Sequence, residues 1–302
     1  MYEIPRHDGM NFHDRKKMKI IDMRLRPPLK SWVKTAQFTE GTAYYPTRHG
    51  FPRPKSVKTQ LMQDLLDEMD EASITTGIIM GRQSAPPHGA VPNDEITQAI
   101  AQHPTRFLAL AGIDLRDIDR GVAEIDRTSQ IQGYVGASIE PGATYEAMYS
   151  DDRRLYPLYA RCQELDWPMS ITLSGYLAAM VGHDLSYGSP TPVYKVAKDF
   201  PKLKIIVSHA AWPNIMPMME VAFIRENVYV SPDLYMNGVN TPGAHEYIKA
   251  AKFFLGHRLL FGTAYPSRPL KESVQAFMEW DLDSELREKI LYRNAAQLFK
   301  IQ

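Results

Sequence analysis

One cysteine, Cys162, stands in a chain of 302 residues. A lone thiol closes no intrachain disulfide, so the fold has to hold without cross-links, as in a reducing cytoplasm. Excess charge is missing as well: 35 Lys and Arg are matched by 35 Asp and Glu. That balance leaves no whole-molecule positive field. It argues against nucleic acid or an anionic membrane as the partner and confines any anion binding to a local cluster. No apolar run approaches the roughly 20 residues of a membrane span. The polar opening "MYEIPRHDGMNFHDRKK" holds no signal-peptide core, so a cytoplasmic protein is expected. No glycine-rich phosphate loop follows the first apolar run, which disfavours an open nucleotide-binding sheet. Linkers, low-complexity tracts and short repeats are absent too, and one domain over residues 1–302 is the expectation.

What the chain does have is alternation. Eight strand-like apolar runs occur in order: "KIIDMRLR", "TTGIIMG", "FLALAGID", "YVGASIE", "PMSITLS", "KIIVSHA", "VYVSPDL" and "LLFGTAY". Between them lie segments with helical spacing, among them "TQLMQDLLDEMDEA", "DEITQAIAQHP", "RLYPLYARCQEL" and "IMPMMEVAFIRE". Such alternation implies parallel strands joined by crossover helices, and eight units in about 250 residues fit an α/β protein built as a (β/α)8 barrel. The barrel is expected over about 19–280, with "SELREKILYRNAAQLFKI" supplying a C-terminal helical extension over 281–302. Two long loops, from Pro27 to Ser56 and from Gly175 to Ser189, leave C-terminal strand ends, where barrels of this kind build their sites.

The charged residues gather at the same ends. Arg24 and Arg26 lie two apart in the first run, and the two-residue period of a strand puts both guanidiniums on one side. Arg82 ends the second run and Arg116 sits in the loop after the third. Four arginines at successive strand ends would suit a di- or tricarboxylate, or a phosphorylated small molecule. Glu140, ending the fourth run, reads as their counter-ion or as a general base. His209 reads as a core histidine or as a general base whose pKa the arginines lower. Asp233 reads as its orienting partner or as a proton acceptor, and Asp22 as a structural partner for an arginine one layer deeper. Cys162, with apolar neighbours at helical spacing, is expected in the core. His88 and His183 fall on loops, and Tyr44, Tyr45 and His49 in the first loop would form a lid or a subunit contact.

Five segments resemble the amidohydrolase-related family: "WPMSITLSG", "FPKLKIIVSHAAWP", "ENVYVSPDLY", "RLLFGTAYPSRP" and "YRNAAQLFKI". The resemblance covers nearly the whole chain and implies a metal-dependent-hydrolase-like TIM barrel. It puts Arg24 and Arg26 where the family has a first-strand His-x-His, Thr172 where it has a strand-five histidine, and Ala264 where it has a strand-eight aspartate. His209 keeps the strand-six histidine. Guanidinium offers a metal no lone pair, and one histidine falls short of the three or four ligands of a divalent site. No metal and no cofactor are therefore expected, a nonstandard set of His209, Glu140 and Asp233 being the alternative. Tyr265, next to Ala264, is expected to face away from the mouth.

The resulting expectation is a metal-independent enzyme acting on a small anionic carboxylate. Arg24, Arg26, Arg82, Arg116 and Thr172 would bind the substrate, and His209, Glu140 and Asp233 would move protons. The resemblance implies hydrolase or lactonase chemistry, with decarboxylation, isomerisation or hydration as the alternative. A non-catalytic ligand-binding or partner subunit is the alternative of another class. A homodimer is expected by base rate and by the aromatic first loop.

Overall fold

The computed structural model describes residues 18–39, 52–238 and 240–301; Tyr44, Tyr45 and His49 lie outside them. Seven parallel strands form one sheet in chain order: β1 (Ile20–Leu25), β2 (Ile74–Met80), β3 (Phe107–Gly112), β4 (Tyr134–Ile139), β5 (Met169–Thr172), β6 (Ile205–Ser208) and β7 (Val228–Ser231). Their residues are mostly buried, as in a parallel sheet covered by helices.

The eighth apolar run is not a regular strand, although it bridges the two ends of the sheet. Leu260 N donates to Val230 O at 2.9 Å, Val230 N donates to Arg258 O at 3.0 Å, and Met23 N donates to Phe261 O at 3.0 Å. Other backbone groups of this segment are engaged elsewhere. Phe261 N donates to Ile290 O, and Leu259 O accepts from the Asn294 side chain at 2.8 Å. The C-terminal helices thus take hydrogen-bonding capacity that a continuous ladder would need.

The helices are α1 (Lys55–Thr59), α2 (Met62–Glu71), α3 (Asn93–Gln102), α4 (Ile118–Ser129), α5 (Tyr156–Glu164), α6 (Gly175–Met180), α7 (Thr191–Asp199), α8 (Ile215–Ile224), α9 (Ala244–Ala250), α10 (Leu270–Met278), α11 (Ser284–Glu288) and α12 (Asn294–Phe299). Those between strands bury one apolar stripe; α2, for example, buries Leu65, Leu66 and Met69. Cys162 is fully buried in this outer core. A second, inner cluster gathers Ile21, Met23, Ile78, Met80, Leu110, Ile206 and Leu260 with Leu298 and Phe299 of α12. This leaves the polar residues to the C-terminal strand ends.

A bulge in β1 sets what reaches the barrel interior. Asp22 pairs with Gly77 and Leu25 with Ile79, so β1 spends one residue more than β2 over the same span. The two-residue alternation is broken there. Met23 belongs to the inner cluster, and Arg24, immediately after it, reaches across the barrel to β5 and the end of β4. Asp22 does not pair with an arginine side chain, contrary to expectation. It accepts from Thr263 N at 2.9 Å and Thr263 Oγ1 at 2.6 Å, clamping β1 to the segment that closes the sheet.

Candidate active site

The ends of five strands converge on one buried charge cluster. Arg24 is fully buried and donates from Nη2 to Glu140 Oε1 at 2.9 Å and from Nη1 to Thr172 Oγ1 at 3.2 Å. Its Nε lies 3.7 Å from Asp233 Oδ2. Arg82 donates to the same Glu140 Oε1 at 2.9 Å, and Ser84 Oγ donates to Oε2 at 2.6 Å. Burial raises the pKa of Glu140, but Arg82 and Arg24 outweigh it and hold the carboxyl well below its usual range. A carboxylate so neutralised is a counter-ion and a poor base. Arg24, Thr172 and Glu140 are not among the residues lining the cavity described below, and they reach it through Arg82, which Glu140 binds.

Arg26 has a different environment. It is 2% exposed, and its Nη1 donates only to the main-chain oxygens of Ala264 and Tyr265, each at 3.2 Å. Among the described residues no carboxylate pairs with it, and its Nε has no partner. Burial first, then Arg24 and Arg82, push its pKa well down. Arg82 likewise keeps an unpartnered Nη1. Trp32 holds both guanidiniums, 5.7 Å from Arg26 and 5.4 Å from Arg82. Two desolvated cations with spare donors are thus fixed at one wall of a cavity lined also by His88, Leu177, Met180, His209 and Tyr235.

His209 and Asp233 form the second element of the site. His209 Nδ1 lies 3.0 Å from Asp233 Oδ2, off the line of a straight hydrogen bond, and the same oxygen accepts from His209 N at 3.0 Å. Asp233 Oδ1 accepts from Ser231 Oγ at 2.6 Å. Burial and Arg24 push the imidazole down to about 4 against the opposing pull of Asp233. His209 is therefore neutral near pH 7, with Nε2 as the ring nitrogen left for a ligand. His209 (φ 62°), Asp233 (φ 54°) and Ala264 (φ 58°) all adopt left-handed backbone at neighbouring strand ends. Non-glycine residues seldom do so outside sites whose surroundings enforce it.

Other expected residues fall elsewhere. Arg116 does not join the cluster: it is exposed, chelates Asp114 at 2.5–3.0 Å and stacks over Tyr145. A charge with a carboxylate two residues away satisfies itself locally on the surface. His183 bonds Thr144 O at 2.9 Å, away from the cavity. Tyr265 points outward, as expected, and its hydroxyl donates to Glu68 Oε2 at 2.5 Å. The residue underrated by sequence is His88. It is fully buried at the cavity, although its loop, "SAPPHGA", is rich in the residues of surface turns.

The cluster does not fit a divalent cation. Among the described residues no group of three or more His, Cys, Asp or Glu could hold one. The alternative set of His209, Glu140 and Asp233 has its oxygens committed to Arg24, Arg82, Ser84, Ser231 and His209 N.

Known proteins place this geometry in context. The amidohydrolase family model matches residues 21–301. An uncharacterized TIM-barrel protein from Bordetella bronchiseptica is 34% identical, with 94% of this chain and 99% of that one covered and a TM-score of 0.87. The decarboxylase orsB of Emericella nidulans is 26% identical over 92% of this chain and 98% of its own length. A dihydroxybenzoic acid decarboxylase from Polaromonas sp. JS666, solved with manganese and 2-nitroresorcinol, shares the fold at 19% identity, with coverage of 94% and 97% and a TM-score of 0.65. The manganese in that protein counts against the expected metal independence, which rests on Arg24, Arg26, Thr172 and Ala264 of this chain and not on the fold.

Proposed function

This chain belongs to the amidohydrolase family, and from that premise we propose that it is a carboxy-lyase acting on a small, aromatic carboxylate. The observation that carries the reading is the pair of buried guanidiniums, Arg26 and Arg82, with spare donors in a cavity that a neutral histidine also lines. Charge-assisted hydrogen bonds from two guanidiniums suit a carboxylate. The relatives named as decarboxylases favour carbon–carbon cleavage over the hydrolase or lactonase chemistry that came first on sequence, and family membership in enzymes sets aside the non-catalytic reading.

In the reaction, the bond between the ring carbon and the carboxylate carbon breaks. Its electron pair stays on the ring carbon, which takes a proton, and carbon dioxide leaves. Arg26 and Arg82 hold the carboxylate. The proton comes from solvent water, and neutral His209, set by Asp233, is the group placed to take it up at Nε2 and pass it on. Arg24, Glu140 and Thr172 fix the positions of Arg82 and Asp233. The cavity of about 40 Å³ is smaller than an aromatic ring, and Leu177 and Met180 on α6 are among the lining residues that would give way to one. The same reading takes residues 258–261 as the eighth stave of one barrel domain and, on the lone buried thiol and the base rate for such enzymes, places a homodimer in the cytoplasm.

The test is release of labelled carbon dioxide from carboxyl-¹³C hydroxybenzoates, followed by mass spectrometry. Release is expected with the wild type and a loss of about tenfold or more with Arg26→Met. Binding of these acids with no labelled gas, together with turnover of lactones, would restore the hydrolase reading.

A further inference from the structure

His88 is a cavity residue that the carboxylate chemistry leaves without a task. It sits in the loop after β2, fully buried, with Nε2 3.0 Å from the main-chain oxygen of Leu177 on α6. A carbonyl oxygen only accepts, so Nε2 must carry the proton in that bond. Burial and the neighbouring Arg82 push the imidazole down to about 4, so it has a single proton near neutrality. Nδ1 is therefore a bare lone pair. It is buried, it has no partner, and its ring lines the cavity with Arg26 and Arg82.

The guanidiniums of Arg26 and Arg82 are donors only, and Gln37 Oε1 is the other buried acceptor without a partner in this lining. An unpartnered buried acceptor among guanidiniums is costly unless a ligand supplies a hydrogen. We infer that His88 Nδ1 accepts a hydrogen bond from a substrate hydroxyl, which makes His88 the residue selecting hydroxylated carboxylates over their unsubstituted analogues. This rests on the carboxylate site proposed above and adds the second functional group of its substrate. The bond to Leu177 on α6 also fixes the tautomer and so the acceptor.

Calorimetric titration of the full chain with benzoate and with 2-, 3- and 4-hydroxybenzoate tests it. At least one hydroxybenzoate is expected to bind roughly threefold to tenfold more tightly than benzoate. His88→Gln keeps a donor for Leu177 O but places no acceptor at the Nδ1 position, and should bring hydroxybenzoate and benzoate to equal affinity. His88→Asn, with its amide oxygen near the Nδ1 position, should keep it. An equal preference in all three proteins overturns the inference and leaves the carboxylate site standing. Failure of the wild type to bind any of the four acids removes both. Should the variants not fold, ¹⁵N spectra of the wild-type imidazole decide. A shift of Nδ1 with the hydroxybenzoate but not with benzoate supports the inference, and no shift overturns it.

Discussion

Arg24 and Arg26 lie two residues apart and are held by different kinds of partner, one by carboxylates and the other by main-chain oxygens. Their substitution should separate accordingly. Arg24→Met leaves Glu140 with Arg82 and Ser84 alone and takes the guanidinium from beside Asp233, and is expected to cost about 1.5–3 kcal/mol in chemical denaturation. Arg26→Met removes a desolvated cation that no carboxylate among the described residues pairs with directly, so stability should hold or rise, while carboxylate affinity falls by about 1.5–3 kcal/mol, roughly ten- to a hundredfold. Arg26→Lys should recover only part of that affinity, since an ammonium makes no forked contact. Equal destabilisation by both methionine variants would contradict this division. The histidines give the pH dependence. His88 and His209 are both lowered to about 4 from 6.5, so the unfolded chain binds more protons between those values and stability should rise with pH across that window. Asp22, raised by burial to about 6 from 3.8, acts with the opposite sign and partly offsets the gain below pH 6. Denaturant midpoints at pH 7 should therefore exceed those at pH 5, and the reverse order would show the histidines to be charged in the fold. The sequence made the arginines conspicuous. It could not show which of them a carboxylate neutralises, because Glu140 lies 116 residues from Arg24 and meets it only across the barrel.

At the scale of elements, the strand positions were legible because short buried runs between turn signals admit few alternatives. The bulge in β1 was not, since nothing in "IIDMRL" marks the added residue. The span from Gly175 to Ser189, read as loop, contains α6 and a 3₁₀ turn at Leu185–Gly188. Six helical residues are too few for a periodic signal, though Ser174, whose hydroxyl caps the helix by accepting from Leu177 N at 3.3 Å, was a start signal available to sequence. The close approach of these two pieces depends on Gly188. A Cβ there would sit 2.3 Å from Gly175 N, against backbone with no flexible end to give way. Gly188→Ala should therefore cost about 1–3 kcal/mol and, by displacing the helix that walls the cavity, change carboxylate affinity. A stability loss with affinity untouched would mean that α6 does not govern access.

For the whole molecule, the sequence conveyed a closed parallel sheet with its charges at one end, and the amidohydrolase family match spans nearly all of it. The closing segment escaped the strand expectation because the C-terminal helices compete for its backbone groups. A homodimer should appear as twice the 34.4 kDa chain mass in sedimentation at micromolar concentration, and a monomer over that range would remove it. A crystal structure with a bound hydroxybenzoate should place its carboxylate oxygens about 3 Å from the guanidiniums of Arg26 and Arg82, with the ring toward His209 and the Arg24–Glu140 pair intact. A carboxylate that displaces Glu140 from Arg24, or that settles on the exposed Arg116 with Arg26 left untouched, would contradict this placement.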